Sequence, residues 1–164
     1  MIPYGQLRGT IMCLRVRQSV GEAAKKSHKP DAEGFMVGWK LVTPKNEAIF
    51  YPKVGREYKV GDREEKFCRQ PYTFYVKPYK FNDEAFIGAG IHLFANREHA
   101  RWFRNYCKMY RPQFAGAKLI KVYYKLEDVL AYGCMNYTGS LTGKVDNLDN
   151  VVVTKIRIKS LKAC

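Results

Sequence analysis

Apolar and polar residues alternate along several stretches of this chain, with the period of two that is typical of β-strands. Such stretches predict strands over Leu7–Gln18, Lys118–Lys125 and Val151–Lys159, and dense apolar runs predict buried strands over Gly34–Val42 and Ile91–Phe94. Within Lys118–Lys125, Ile120, Val122 and Tyr124 share one face. Two valine–glycine steps, at Val54 and Val60, indicate further short strands with turns between them.

A helical spacing follows the Ile91–Phe94 strand. Asn96 is typical of a helix N-cap, because its side-chain oxygen can accept a hydrogen bond from an unpaired amide in the first turn. Glu98 follows in that turn, where the helix dipole favours an anion. We therefore predict a helix over about 97–109 that ends before Pro112, since the residue preceding a proline avoids helical angles. The core-facing residues of this helix, with Tyr106 beside them, are Ala100, Phe103, Cys107 and Tyr110.

The other side of the predicted helix is cationic. The residues that recur there at spacings of three and four are Arg97, Arg101, Arg104, Lys108 and Arg111. Glu98 is the only acidic residue in the segment, so the acids that usually balance a solvated helix face are missing. Two interpretations stay open: an ordinary solvated face, or a surface that meets phosphates or acidic side chains.

The last predicted strand has the most regular alternation. On one face it carries Val152, Thr154, Ile156 and Ile158. On the other face it carries Val151, Val153, Lys155, Arg157 and Lys159. The basic row protects an exposed sheet edge from pairing, or it belongs to a ligand-facing surface.

Three segments have no single pattern. Ser19–Pro30 is polar and basic, and either one or two helical turns or a mobile loop fits it. Tyr132–Asn150 is rich in Gly, Asn, Thr and Asp and forms either a long loop or a weak hairpin. Pro71–Phe86 interleaves aromatic rings with lysines, so it is either a cover for the core edge or a base-stacking segment. The stacking candidates in it are Tyr72, Tyr75 and Tyr79.

These elements predict one α+β domain over residues 1–164, with a strongly bent, mostly antiparallel sheet and one main helix. The composition agrees, since 164 residues with 46% apolar content can bury a real core. The formal net charge is +14, and a positive field of this size attracts polyanions. Nucleic acid, an acidic protein surface or a nucleotide-like ligand are therefore the expected partners.

Several classes of site are not indicated. The chain contains no phosphate-binding glycine loop, dinucleotide fingerprint, nucleophile elbow or zinc-protease motif. No apolar run approaches the ~20 residues of a membrane span, and the first residues lack the pattern of a signal peptide. The five cysteines are widely spaced and the histidines number three, so we expect reduced thiols and no metal site. These observations predict an intracellular protein, cytoplasmic or nuclear.

His92 is the leading candidate for a site residue, although no catalytic residue is assigned. It lies within the Ile91–Phe94 strand and follows the glycine-rich run Gly88-Ala-Gly90, whose backbone a ligand could approach closely. The alternative is a structural histidine that is hydrogen-bonded inside the fold.

The run from Phe86 to Ala95, followed by Ala100-Arg-Trp-Phe-Arg-Asn-Tyr-Cys107, resembles a segment of ADP-ribosyltransferases of the poly-ADP-ribose polymerase type. In that family a Gly-x-Gly-Ile-Tyr-Phe-Ala strand leads into a helix ending near Asn-Tyr-Cys. His92 stands where the family has a nicotinamide-stacking tyrosine, so the resemblance implies NAD as a ligand. Tyr58-Lys-Val-Gly61 and the strand–helix segment also look like uncharacterised domains of large DNA viruses and phages.

The resemblance covers about a quarter of the chain, and the sequence departs from the family at two places. The family's His-Gly-Thr strand is missing, and Gly38-Trp39-Lys40 is its nearest substitute. No glutamate matches the catalytic acid, and Glu127 is a poor positional match. The resemblance therefore favours a related scaffold without the activity over an active transferase.

The sequence accordingly predicts a basic binding module, viral if the second resemblance holds, that engages nucleic acid or an acidic protein surface without catalysis. The first alternative is a transferase-like protein that binds or processes a nicotinamide nucleotide. Its pocket would lie between His92, the Gly88–Gly90 entry and the Gly34–Val42 strand. The second alternative is a structural component of a capsid or ribonucleoprotein.

Overall fold

The computed structural model describes residues 14–48, 57–64, 86–87, 90–110, 115–136 and 147–164. Within these residues the chain forms two helices and nine strands, which is an α+β fold as predicted. The elements are β1 (Leu14–Val16), α1 (Gln18–Ser27), β2 (Phe35–Val42), β3 (Gly61–Glu64), β4 (Phe86–Ile87), β5 (Ile91–Phe94), α2 (Arg97–Tyr110), β6 (Lys118–Lys125), β7 (Val129–Asn136), β8 (Asn147–Val153) and β9 (Lys155–Ile158). A short 3-10 turn, Leu126–Asp128, joins β6 to β7.

The described strands form one sheet in the order β3-β9-β6-β2-β5-β8-β7-β1-β4, and their pairings are antiparallel. Only Thr154 separates β8 from β9 in the chain, yet β6, β2 and β5 lie between them in the sheet. In a flat sheet, β8 and β9 would be about 19 Å apart at the usual strand spacing. One linking residue spans less than about 8 Å between its neighbours' Cα atoms. The sheet must therefore curl strongly, as predicted.

The inside of the curl holds the main hydrophobic core. Alternate residues of β2, β5, β6, β8 and β9 point into it, which follows from the two-residue period of a strand. The predicted shared face of β6 is confirmed, because Ile120, Val122 and Tyr124 are each at most 1% exposed and belong to this core.

The prediction of one continuous strand over Val151–Lys159 is wrong at Thr154. The Thr154 amide and hydroxyl both donate to the carbonyl oxygen of Asp128, at 2.9 and 3.4 Å. The chain turns a corner there, and the alternation shifts by one residue. Val152 therefore does not share a face with Ile156 but packs in a separate cluster. The residues that reach the inner core from the two strands are Val151, Val153, Ile156 and Ile158.

Helix α2 covers the outer face of the sheet and ends one residue beyond the predicted limit. The predicted N-cap is confirmed, because Asn96 Oδ1 accepts from the amides of Glu98 and His99 at 2.9 and 3.4 Å. Ala100 and Phe103 are fully buried. They pack in an outer core that also contains Trp39, Leu41, Phe94, Ala117, Leu119 and Leu148.

The structure also shows the conformation of two segments for which the sequence pattern left two alternatives each. The polar segment after β1 forms α1, a ten-residue helix, and Gln18 begins it instead of ending the first strand as predicted. Helix α1 lies very close to β7, since an ideal Cβ on Gly21 would lie 2.5 Å from the Tyr132 ring. The weak hairpin is confirmed, because β7 and β8 pair along their length. Leu7–Cys13 lies outside the described residues.

Candidate polyanion-binding surfaces

The cations of α2 form the first candidate, here called the α2 surface: Arg97, Arg101, Arg104 and Lys108. Arg97 and Lys108 are exposed. The Arg101 guanidinium donates to the Glu98 carboxylate at 3.1 Å, but exposed pairs of this kind contribute at most about 1 kcal/mol. The Arg104 side chain is half-buried, and its Nε makes no hydrogen bond with the described residues. That Nε is itself buried, so within the described residues the cations that an approaching anion would meet are the exposed Arg97 and Lys108, together with Arg101.

An exposed tryptophan lies on the same helix. The Trp102 ring is stacked on Tyr106, with centroids 5.6 Å apart and planes 19° apart, and Tyr106 is stacked on the buried Phe103. Trp102 is nevertheless 41% exposed, so a ring that the core supports remains open to a ligand. Trp102 is not among the candidate binding residues that the sequence indicated. The available signal was its position outside both the apolar and the cationic rows of the helix.

The basic row of β9 is arranged differently, because β3 supplies acids to it. Asp62 and Arg157 are paired in the register of β3 and β9. The Arg157 guanidinium donates to both Asp62 oxygens, at 2.7 and 3.3 Å, and lies 3.5 Å from the Glu33 carboxylate. Lys155 Nζ lies 3.7 Å from Asp62. Hydrogen bonding from Arg157, its positive charge and that of Lys155 lower the pKa of Asp62 below its usual value. Two of the three predicted β9 cations are therefore already ion-paired.

Tyr123 and Phe35 form the second candidate together with the cations around them. The Tyr123 ring is approached by Lys159 Nζ at 4.3 Å and Lys121 Nζ at 5.8 Å, measured to the ring centroid. Arg157 and Lys125 approach the Phe35 ring at 4.6 and 5.2 Å. We call this group the sheet surface: Phe35, Lys121, Tyr123, Lys125, Arg157 and Lys159. Of these six residues, only Arg157 and Lys159 were candidates from the sequence.

The missing members could have been found from the alternation of β6. If Ile120, Val122 and Tyr124 face the inner core, then the residues between them must face outward. What the alternation could not show is that β2 and β9 flank β6, which brings Phe35 and Lys159 to these residues. The sheet surface lies on the outer face of the sheet, where α2 also packs.

The structure pairs the strand of the transferase resemblance with the strand that holds Gly38-Trp39-Lys40, the nearest substitute for the family's missing strand. Strands β2 and β5 are paired through Trp39 and Phe94. The Lys40 ammonium, which is buried, donates to the carbonyl oxygen of His92 at 3.0 Å and lies 5.6 Å from the Tyr58 ring. His92 itself is only 9% exposed, so it lies inside the fold.

The pocket expected at His92 includes Gly88 and Ala89, which lie outside the described residues, so the structure shows only other features near this strand. A cavity of about 350 Å³ lies between α1 and β7, and His92 does not line it. Gly90 has a positive φ of 88°, and an ideal Cβ there would lie 2.7 Å from Val152. The protein's own packing therefore requires this glycine. Glu127 is exposed in the turn after β6.

The described residues contain no group of three or more His, Cys, Asp or Glu side chains that could hold a metal ion. Cys134 and Cys164 are free thiols, and burial is the main reason that the pKa of Cys134 is raised. Helices α1 and α2, the two in the described part of the chain, lack the length and apolar character needed to cross a membrane. Arg111 and the stacking candidates Tyr72, Tyr75 and Tyr79 lie outside the described residues.

Comparison with protein-family models, curated proteins and solved structures finds no match.

Proposed function

We propose that this chain is a non-enzymatic binding module that engages nucleic acid through the α2 surface. The observation that carries the proposal is the row of four cations on α2, with Glu98 as the one acid of that helix, and an exposed, stacked Trp102 on another side of the same helix. Guanidinium groups form strong, charge-assisted hydrogen bonds with phosphate oxygens. The exposed Trp102 ring on the same helix offers an unpaired base a surface on which to stack.

The net charge adds to this local arrangement. A formal charge of +14 attracts a polyanion over long range, and the release of its counterions drives binding. An acidic protein surface would meet the same arginines. A row of cations along one helix favours the regular charges of a phosphate backbone over the isolated carboxylates of a protein.

The test is anisotropy of a labelled single-stranded oligonucleotide of about 20 nucleotides, longer than a typical single-strand site, at several salt concentrations. The variant is Arg97→Gln with Lys108→Gln, because both side chains are exposed and their loss should leave the fold intact. If each cation neutralises one phosphate, the slope of log K against log salt should become shallower by about 1.4. Trp102→Ala should weaken binding with little change in the slope.

The matched control is Lys25→Gln with Lys26→Gln on α1, which removes the same charge from exposed positions outside both surfaces. If this control weakens binding as much as the α2 variant does, net charge alone explains the affinity and the α2 surface is not the site. Binding of an acidic polypeptide with no binding of the oligonucleotide at low salt would favour the acidic-protein alternative.

A nicotinamide nucleotide remains the second candidate ligand. The observation in its favour is that Lys40 donates a hydrogen bond to the His92 carbonyl, which joins the strand of the resemblance to the substitute for the family's missing strand. The burial of His92 argues against an open stacking site. We therefore expect calorimetry to show no heat with NAD and His92→Ala to cost about 1–3 kcal/mol of stability. Heat with the wild type that disappears in a folded His92→Ala variant would instead support the nucleotide.

A further inference from the structure

The sheet surface carries an aromatic ring, Tyr123, in a position that the structure describes on all sides within the sheet. Tyr123 lies on β6 with β2 on one side and β9 on the other, paired in register with Val37 and Arg157. The backbone under this ring is therefore held from both sides. The ring is half-buried, and the ammonium groups near it belong to Lys121 and Lys159, which are exposed.

The spacing of these residues suits a strand of nucleotides. Positions two apart on a strand lie about 7 Å apart on one face, so Lys121 and Lys125 stand on either side of Tyr123 along β6. Lys159 reaches the same ring from β9. A base that stacks on Tyr123 would displace the Lys159 ammonium from the ring, and that ammonium could then meet the adjoining phosphate. The cation–π contact is exchanged for stacking plus an ion pair.

The other half of the sheet surface is less available. Phe35 is 8% exposed, and Arg157, which approaches its ring, is held by Asp62 and Glu33. Of the two described rings of this surface, Tyr123 is therefore the one on which a base can stack. The contacting cations are then Lys121, Lys125 and Lys159.

From this arrangement we infer that the sheet surface is a second nucleic-acid site that takes a single strand, with Tyr123 as its stacking residue. The inference rests on the proposed function, since it extends the same ligand to a second group of residues. A duplex does not fit, because its bases are stacked on one another and paired. Only an unpaired base can present its face to Tyr123.

The experiment compares oligo-dT and oligo-rU of about 20 nucleotides with a duplex of equal length, all longer than a typical single-strand site. Tyr123→Ala should weaken the tighter single strand by about fivefold or more, with little change in salt slope. Tyr123→Phe should retain the wild-type affinity, because it keeps the ring. Duplex binding should be the same in all three proteins.

A charge variant tests the same surface without altering the ring. Lys121→Gln, Lys125→Gln and Lys159→Gln together should make the single-strand salt slope shallower by about 2. Equal affinities for Tyr123→Ala and wild type, in folded proteins, would overturn the inference. So would equal losses for Tyr123→Ala and Tyr123→Phe, or an equal loss for the duplex.

The two proposals fail in different ways. If Arg97→Gln with Lys108→Gln weakens binding and the sheet variants do not, the α2 proposal stands and this inference is wrong. If only the sheet variants weaken binding, the site is the sheet surface and the α2 assignment is wrong. If the wild type binds none of the three nucleic acids at low salt, both are wrong.

Discussion

The α2 surface and the basic row of β9 are both rows of cations that a simple period brings to one side, yet their surroundings differ. Among the described residues, the acid in contact with the α2 row is Glu98, which belongs to the same helix. On β9, Asp62 of β3 lies between Lys155 and Arg157, and Glu33 adds a second carboxylate. With respect to the described residues, the first row is largely available to an external anion, and the second is mostly neutralised by ion pairs.

The difference shows what a charge pattern can and cannot indicate. A period of two or 3.6 tells which side chains share a face. It does not tell what lies opposite them. The partner of Arg157 is 95 residues away in the chain, and only the pairing of β3 with β9 brings the two together. A basic row is therefore a candidate binding surface only after its neighbours in space are known.

The largest expected effect is a loss of stability when the packing of α2 against the sheet is weakened. Phe103 is fully buried and its ring contacts those of Phe94 and Tyr106, so Phe103→Ala should cost about 3–5 kcal/mol of unfolding free energy. Urea denaturation measures this change. The matched variant is Trp102→Ala on the exposed side of the same helix, where the loss of an aromatic pair should cost about 0.5–1.5 kcal/mol beyond the area it buries. Equal losses would mean that the two faces of α2 are assigned wrongly.

The next largest effect is expected from removing Asp62, the acid that makes the β9 row different from the α2 surface. Asp62→Asn should release Lys155 and leave Arg157 with Glu33 as its carboxylate among the described residues, which makes β9 more similar to α2. If one or two further phosphates are then contacted, the single-strand salt slope should become steeper by about 0.7–1.4. The matched control is Glu64→Gln, which makes the same charge change at an exposed position of β3. An unchanged slope in Asp62→Asn would show that the β9 row does not bind anions even when it is free.

The same variant has a pH signature whose sign follows from the pKa of Asp62. Arg157 lowers that pKa in the folded protein, so the ion pair stabilises the fold above the unfolded value of 3.8. The contribution is lost as the pH falls below this value and through the lower folded pKa. Asp62→Asn should therefore reduce stability near neutral pH and converge with the wild type in acid. Urea midpoints across this range measure it, and parallel curves would contradict the assignment.

The smallest expected effect concerns the acid of α2. Glu98→Gln should free Arg101 and raise oligonucleotide affinity slightly at low salt, with the gain vanishing at high salt because the pair is exposed. It should also cost about 0.3–1 kcal/mol, since Glu98 lies in the first turn, where the helix dipole favours an anion. Anisotropy and thermal unfolding measure the two effects. A large gain in affinity would show that Glu98 masks the α2 surface as strongly as Asp62 masks β9.

The sequence by itself determined the elements whose signals are local. The N-cap at Asn96, the extent of α2, the strand Lys118–Lys125 and the face that its apolar residues share all depend on residues within a few positions of one another. Backbone hydrogen bonding and the burial of one face act over that range, and for this reason periodicity predicted them. The α+β class followed from the same elements, whereas the bend of the sheet, although predicted, has its reason in the order of the strands.

Only the tertiary structure decided what depends on contacts between distant segments. At the corner, Thr154 donates to the carbonyl oxygen of Asp128. The two residues are 26 positions apart, so a pattern of neighbouring residues cannot predict this contact. The pairing of β3 with β9 neutralises Arg157, and the placement of β9 beside β6 brings Lys159 onto Tyr123. Strand register and the approach of β2 to β5 are set by how the whole curled sheet fills its core. These contacts, and not the count of charges, distinguish an available basic surface from one that the protein has already neutralised.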